Sequence, residues 1–114
     1  MTYDPDNLFA KILRKEVSCQ SVYEDNQVLA FFDIHPKAPI HVLVIPKEPY
    51  TSFEDFAARA PKNDIASFFQ KVAKIAADLK LSENGFRLVT NNGPYGGQEI
   101  FHFHVHLLSG NLSE

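Results

Sequence analysis

From Ile100 the chain reads Ile100-Phe101-His102-Phe103-His104-Val105-His106-Leu107-Leu108, with apolar residues alternating with histidine from Phe101 to Leu107. Successive side chains on a strand point to opposite faces, so this period predicts one strand over 100–108. Phe101, Phe103, Val105 and Leu107 would then cover a core. His102, His104 and His106 would line up on the other face, roughly 6.6 Å apart from one to the next.

The residues before this strand predict what it packs with. Asn91-Asn92-Gly93-Pro94-Tyr95-Gly96-Gly97 is a glycine-rich loop, and Phe86 to Thr90, following Asn84-Gly85, reads as a strand. Ile65, Phe68, Phe69, Val72, Ile75, Ala76 and Leu79 recur at helical spacing and predict one long amphipathic helix. Ser52 with Asp55 resembles a cap opening a short helix that stops before Pro61. His41 to Ile45 is a β-branched strand closed by Pro46. Val28 to Phe32 and Ser21 to Tyr23 are strands joined by the polar turn Glu24-Asp25-Asn26-Gln27. At the start, Asp4-Pro5-Asp6 predicts a helix with Asp4 as N-cap, followed by Leu8, Phe9, Ile12 and Leu13 on one face. Short polar connections favour antiparallel pairing. The class is α+β, an antiparallel sheet of about five strands with one long and one or two short helices, in a single domain over 1–114.

Composition narrows the function. The chain has 114 residues, 45% hydrophobic and 22% charged, with a net charge of −3 and no basic run, which argues against nucleic-acid or anionic-membrane partners. The longest clean apolar run, Val42-Leu43-Val44-Ile45, is too short to span a bilayer, and Met1 to Asp6 carries no secretory signal. A single cysteine, Cys19, precludes an intrachain disulfide and fits a reducing compartment, so cytoplasm is the expected location. Ten Phe residues in so small a domain favour burial against a second copy.

Three imidazoles in register are poor core material, because each has two ring nitrogens to satisfy. Strand histidines can bind zinc, with His41 as a further ligand. No Cys pair and no acidic ligand at helical spacing accompanies them, which ranks zinc below nucleophilic catalysis. A neutral imidazole attacks phosphorus well when its far nitrogen is held by an acceptor, and a second imidazole can stabilise the phosphate oxygens or protonate the departing group. The glycine-rich loop just ahead allows close backbone approach to phosphate or ribose, although it lacks the Lys-Ser or Lys-Thr of a Walker loop.

Asp33-Ile34-His35-Pro36-Lys37-Ala38-Pro39-Ile40-His41, Val44-Ile45-Pro46-Lys47, Asn91, Gly96-Gly97-Gln98 and His102-x-His104-x-His106 together resemble the histidine triad (HIT) superfamily. Within it they are most similar to the Hint branch of histidine triad nucleotide-binding proteins, which act as nucleoside phosphoramidases. The resemblance runs from about Leu8 to Gly110. It implies that His104 attacks the α-phosphorus of a purine nucleotide, chiefly of adenosine. His106 would contact the phosphate, His102 would organise the row through its own hydrogen bonds, and His41 would support it from the neighbouring segment. Asp33 would accept from the ribose hydroxyls, with Ile34, Phe9, Ile12 and Phe31 as the apolar slot for the base. Asn91, Gly97 and Gln98 would position the phosphate and leaving group. The resemblance further implies no required cofactor, and a homodimer with the long helix and a central strand at its interface.

Glu99 departs from the small hydroxyl residue usual after the glutamine in this branch. A carboxylate cannot donate to a phosphate oxygen, so Glu99 is expected to turn away or to bind an amine on the leaving group. The tail, Asn111-Leu112-Ser113-Glu114, is shorter than in many relatives, which puts leaving-group selectivity carried over from them in doubt. Two other functions fit the same residues: hydrolysis of dinucleoside polyphosphates, and nucleotide-binding regulation without catalysis. His35, in a Pro-flanked loop, and Cys19 have no assigned role.

Overall fold

The computed structural model describes residues 2–110; the tail from Asn111 to Glu114 lies outside them. The described elements are α1 (Leu8–Leu13), β1 (Ser21–Glu24), β2 (Val28–Phe32), β3 (Ile40–Pro46), α2 (Phe53–Arg59), α3 (Lys62–Asp78), β4 (Arg87–Val89) and β5 (Val105–Ser109). The five strands form one sheet in the order β1-β2-β3-β5-β4, every neighbouring pair antiparallel. The fold is therefore α+β, a five-stranded antiparallel sheet with three helices.

Both faces of the central strands are covered, so β2 and β3 read as almost continuous apolar runs. On one face Val28, Ala30, Val42, Val44, Val105 and Leu107 pack under α2 and α3, against Phe56, Phe68, Val72, Ile75 and Ala76. Phe103 joins this core, stacked on Phe56 with ring centroids 4.6 Å apart. On the other face Leu29, Phe31, Leu43 and Ile45 receive Phe9 and Ile12 from the short helix α1.

The helix signals resolve with one shift. Ser52 caps α2 by accepting from the Asp55 amide, and α3 carries the predicted apolar stripe. The N-cap of α1 is Asn7, not Asp4: Asn7 accepts from the Ala10 amide at 2.8 Å. Asp4 instead closes a turn, its side chain accepting from Asp6 N and its carbonyl from Asn7 N. Pro at the second position suits a turn as well as it suits a first helical turn, which is why the two readings compete.

The strand expected over 100–108 begins only at Val105. The β3–β5 ladder pairs Ile40 with Ser109 through Val44 with Val105, and Pro46 lies just beyond its end. Proline has no N–H to donate, and the Pro46 carbonyl is taken by the His102 ring at 2.7 Å. The Phe103 amide donates to the Tyr50 carbonyl at 2.7 Å, outside the sheet. The alternation in residue type continues past the point where backbone partners run out.

Candidate functional site

The strand registers assemble the site. His41 and Leu43 on β3, His106 and Leu108 on β5, and Arg87 and Val89 on β4 share the face opposite the α2–α3 core. With Phe9 and Ile12 of α1, Phe31 of β2 and the loop that follows, they border a cleft of about 630 Å³. Within it His104 and His106 stand with ring centroids 5.1 Å apart, and Phe9 meets His104 edge-on at 4.9 Å.

The expected row of three is corrected to two. His102 is fully buried and does not line the cleft, because both of its ring nitrogens are bonded inside the protein, to the Pro46 carbonyl and the Tyr3 hydroxyl. Its carbonyl nevertheless accepts from the His104 ring at 2.7 Å.

Fixed donors and acceptors settle the tautomer of each ring. A carbonyl only accepts, so His104 carries its proton on Nδ1 and keeps its lone pair on Nε2, toward the cleft. The Lys37 amide only donates, and it reaches His41 Nδ1 at 3.1 Å. His41 therefore carries its proton on Nε2 and donates to His106 Nδ1 at 2.9 Å. That leaves His106 with an Nε2–H, a hydrogen-bond donor beside the lone pair of His104.

Burial keeps the imidazoles neutral. His104 is held below the usual histidine range by burial, against the opposing pull of its bond to the His102 carbonyl and the Asp33 charge. His106 is pushed down to about 4, by burial first and then by the neighbouring imidazoles of His104 and His41. Burial also lowers His102 to about 4 and shifts His41 downward. At neutral pH the site presents a nucleophilic nitrogen and a donor without a proton to remove first.

The other expected residues are placed as follows. Asp33 is half-buried on the cleft, accepting from the His35 amide at 2.8 Å, with its second oxygen 3.5 Å from His41 Nε2. Phe9, Ile12 and Phe31 form an apolar wall, while Ile34 is 77% exposed and sits at the mouth. Asn91 and Gly97 border the cleft; Gly97 has φ 87°, a left-handed conformation that favours glycine. Glu99 is exposed on the cleft's rim and makes no hydrogen bond or ion pair among the described residues. Gln98 does not border the cleft. Its amide accepts from Gly93 N and donates to the carbonyls of Thr51 and Ile100, so it braces the glycine-rich loop from behind. A buried primary amide satisfies its own groups before it can serve a ligand.

Leu43, Val89 and Leu108 on the cleft wall and the Lys37 amide behind His41 belong to the site without being candidates on sequence grounds. The period of two in β3 and β5 carries the signal for Leu43 and Leu108, each two residues from a histidine. Nothing in the sequence marks a backbone amide as a partner.

Asp33, His41 and His106 each offer a metal-ligating atom, all within 4.8 Å of one another. Their bonding works against a cation there. A metal on His41 Nε2 would require the proton on Nδ1, where the Lys37 N–H already points, and would break the His41–His106 bond. The trio does not fit a zinc ion in this arrangement.

A HIT domain family profile matches residues 14–112. A purine nucleoside phosphoramidase of Escherichia coli strain K12 is 39% identical over 105 residues, covering 92% of this chain and 87% of that protein. A 14 kDa zinc-binding protein of Zea mays is 43% identical over 107 residues, covering 94% of this chain and 84% of that one. Among solved structures, a histidine triad protein from Clostridium difficile superposes with a TM-score of 0.85 at 37% identity, covering 99% of this chain and 97% of that chain. No helix among the described residues is long and apolar enough to cross a membrane.

Proposed function

The chain belongs to the HIT domain family, and on that premise we propose that it is a nucleotide-binding hydrolase that cleaves nucleoside 5′-phosphoramidates through a nucleotidyl intermediate on His104. The observation that carries this reading is the bond from His104 Nδ1 to the His102 carbonyl, which leaves the Nε2 lone pair toward the cleft. The purine preference rests on the name of the Escherichia coli relative.

In the proposed reaction Nε2 of His104 attacks the α-phosphorus, forming a P–N bond as the bond to the leaving amine breaks. The amine departs with a proton from water. Positive charge left on the His104 ring is stabilised at Nδ1–H by the His102 carbonyl. The His106 Nε2–H donates to a phosphate oxygen, and His41 holds His106 in the required tautomer. Water then attacks the intermediate, releasing the nucleoside monophosphate and returning a neutral His104. Asp33 accepts from the ribose hydroxyls, while Phe9, Ile12 and Phe31 form the wall against which the base packs, with Ile34 at the entrance. Asn91 and Gly97 border the phosphate, and Gln98 holds their loop. Glu99, on the rim, meets the leaving amine. No metal takes part in any step.

Two copies pair, on this reading, with the long helix α3 and the edge strand β4 at the interface, where Leu88 and the neighbouring Phe86 are exposed. Such pairing would make β4 a central strand of the dimer.

The test is hydrolysis of adenosine 5′-phosphoramidate by the wild type and His104→Ala, each with and without EDTA. Turnover by the wild type, reduced more than about a thousandfold in the variant, is the expected result. Absence of turnover by the wild type would overturn the phosphoramidase reading in favour of nucleotide-binding regulation. Activity lost only on chelation would restore the metal.

A further inference from the structure

Tyr3 lies ahead of α1, far from the histidines in sequence, yet its hydroxyl is 2.6 Å from His102 Nδ1. The two rings meet edge-on with centroids 5.6 Å apart. The direction of the bond follows from the far side of the imidazole. Nε2 of His102 donates to the Pro46 carbonyl at 2.7 Å, so Nδ1 holds the lone pair and the phenol must donate to it. Burial raises the Tyr3 hydroxyl above its ordinary range, which keeps that proton in place.

The position of His102 gives this bond its consequence. Residues 100–104 precede β5, so no strand ladder holds the backbone that carries the acceptor for His104; among the described residues the peptide that bears it is tied only through its Phe103 amide, to the Tyr50 carbonyl at 2.7 Å. The His102 ring adds a bond at each nitrogen, to Pro46 on one side and to Tyr3 on the other. Its own carbonyl then takes the His104 Nδ1–H at 2.7 Å. Tyr3 does not border the cleft.

We propose that Tyr3 is a positioning residue for the nucleophile: by donating to the buried His102 ring it holds the carbonyl that fixes the tautomer and direction of His104. The proposal rests on the role given to His104 above.

Tyr3→Phe removes the donor and keeps the ring. Imidazole nitrogen NMR of the substrate-free protein should show His102 Nδ1 losing its hydrogen bond, and His104 moving from a single tautomer toward a mixture. In the same variant kcat on adenosine 5′-phosphoramidate should fall about tenfold, while the Kd for AMP stays within about twofold of wild type. An unchanged His104 spectrum, or an unchanged kcat, would overturn the proposal whatever the loss in melting temperature, because Tyr3 would then only anchor the N-terminal segment. Should Tyr3→Phe fail to fold, difluorotyrosine at position 3 strengthens the donor with little change of volume. A nitrogen shift at His102 that propagates to His104 supports the proposal, and one that stops at His102 overturns it. The spectra need no substrate. Failure of the wild type to turn over would therefore remove the phosphoramidase reading and leave this test standing.

Discussion

On the face of the sheet beneath α2 and α3, Val42, Val44, Val105 and Leu107 are shut off from solvent and pack in an apolar core with Phe56, Phe68 and Phe103. On the opposite face, the residues between them in the same strands, His41, Leu43 and His106, border an open cleft. One face is close-packed, and the titratable side chain in its cluster is the Tyr50 phenol, raised by burial above its ordinary range; the other carries imidazoles whose protons are set by hydrogen bonds. Because alternate residues of one strand serve both, the core sets the register of the site. The cleft can stay hollow because its walls are held from behind.

This contrast can be broken from either side. The largest expected effect is on chemistry: His104→Ala should cost more than about a thousandfold in kcat, roughly 4 kcal/mol of transition-state stabilisation. Its urea-denaturation midpoint should stay near wild type, because the ring contributes one wall of a cleft and not the packed core. Phe103→Ala should do the reverse. Removing a fully buried ring stacked on Phe56 should lower unfolding stability by about 3–4 kcal/mol, measured by urea denaturation. Equal losses of stability in the two variants would erase the distinction between the faces.

Acid sharpens the comparison. His102 titrates near 4 in the folded protein against an ordinary 6.5. Between these values the unfolded chain binds the extra proton, so stability falls as pH drops from about 6.5 to about 4 and the loss is complete below that. His102 alone should contribute about 3 kcal/mol to this loss. His106, also lowered to about 4, adds to it in the same direction. Because His104 too is held below the usual range, the rate should decline only on the acid side of 6.5, as its lone pair is protonated. Urea midpoints across this pH window test the first expectation and a pH–rate profile the second. The phenol of Tyr50 in the apolar cluster of the other face is raised above its ordinary range, well above this window, so the stability deficit of a core substitution away from the histidines, Ile75→Ala in α3, should be the same at pH 7 and pH 5.

The smallest expected effect concerns binding alone. Asp33→Asn removes the charge offered to the ribose, and KM should rise about fivefold with kcat little changed. A fall in kcat of the same size would instead mean that Asp33, 3.5 Å from His41, acts through the histidine pair.

Much of this was legible along the chain. The stripe of α3, the Ser52 cap, and the strands β2 and β3 follow from local periodicity and turn chemistry, which depend on neighbours a few residues away. Asp33, His41, His104 and His106 could be named as candidates because strand period and family pattern point at the same positions. Other features were not legible, and each depends on a partner distant in sequence or on a choice between equivalent local bonds. Asp4 and Asn7 compete for one cap, and the structure gives Asp4 to the turn that precedes α1 and Asn7 to the cap.

What the sequence by itself determined is the alternation: which residues face the core and which face the cleft, since that follows from the two-residue period of a strand. Only the tertiary structure decided where the alternation stops being a strand. Pro46 ends the ladder for want of an N–H, its carbonyl captures the His102 ring, and Tyr3 closes on the other side of that ring. The tautomers of His41, His104 and His106 were decided the same way, by a backbone amide and a backbone carbonyl that no residue letter records. Periodicity is local and can be read from a chain; the proton on a ring nitrogen depends on what the fold brings within 3 Å of it.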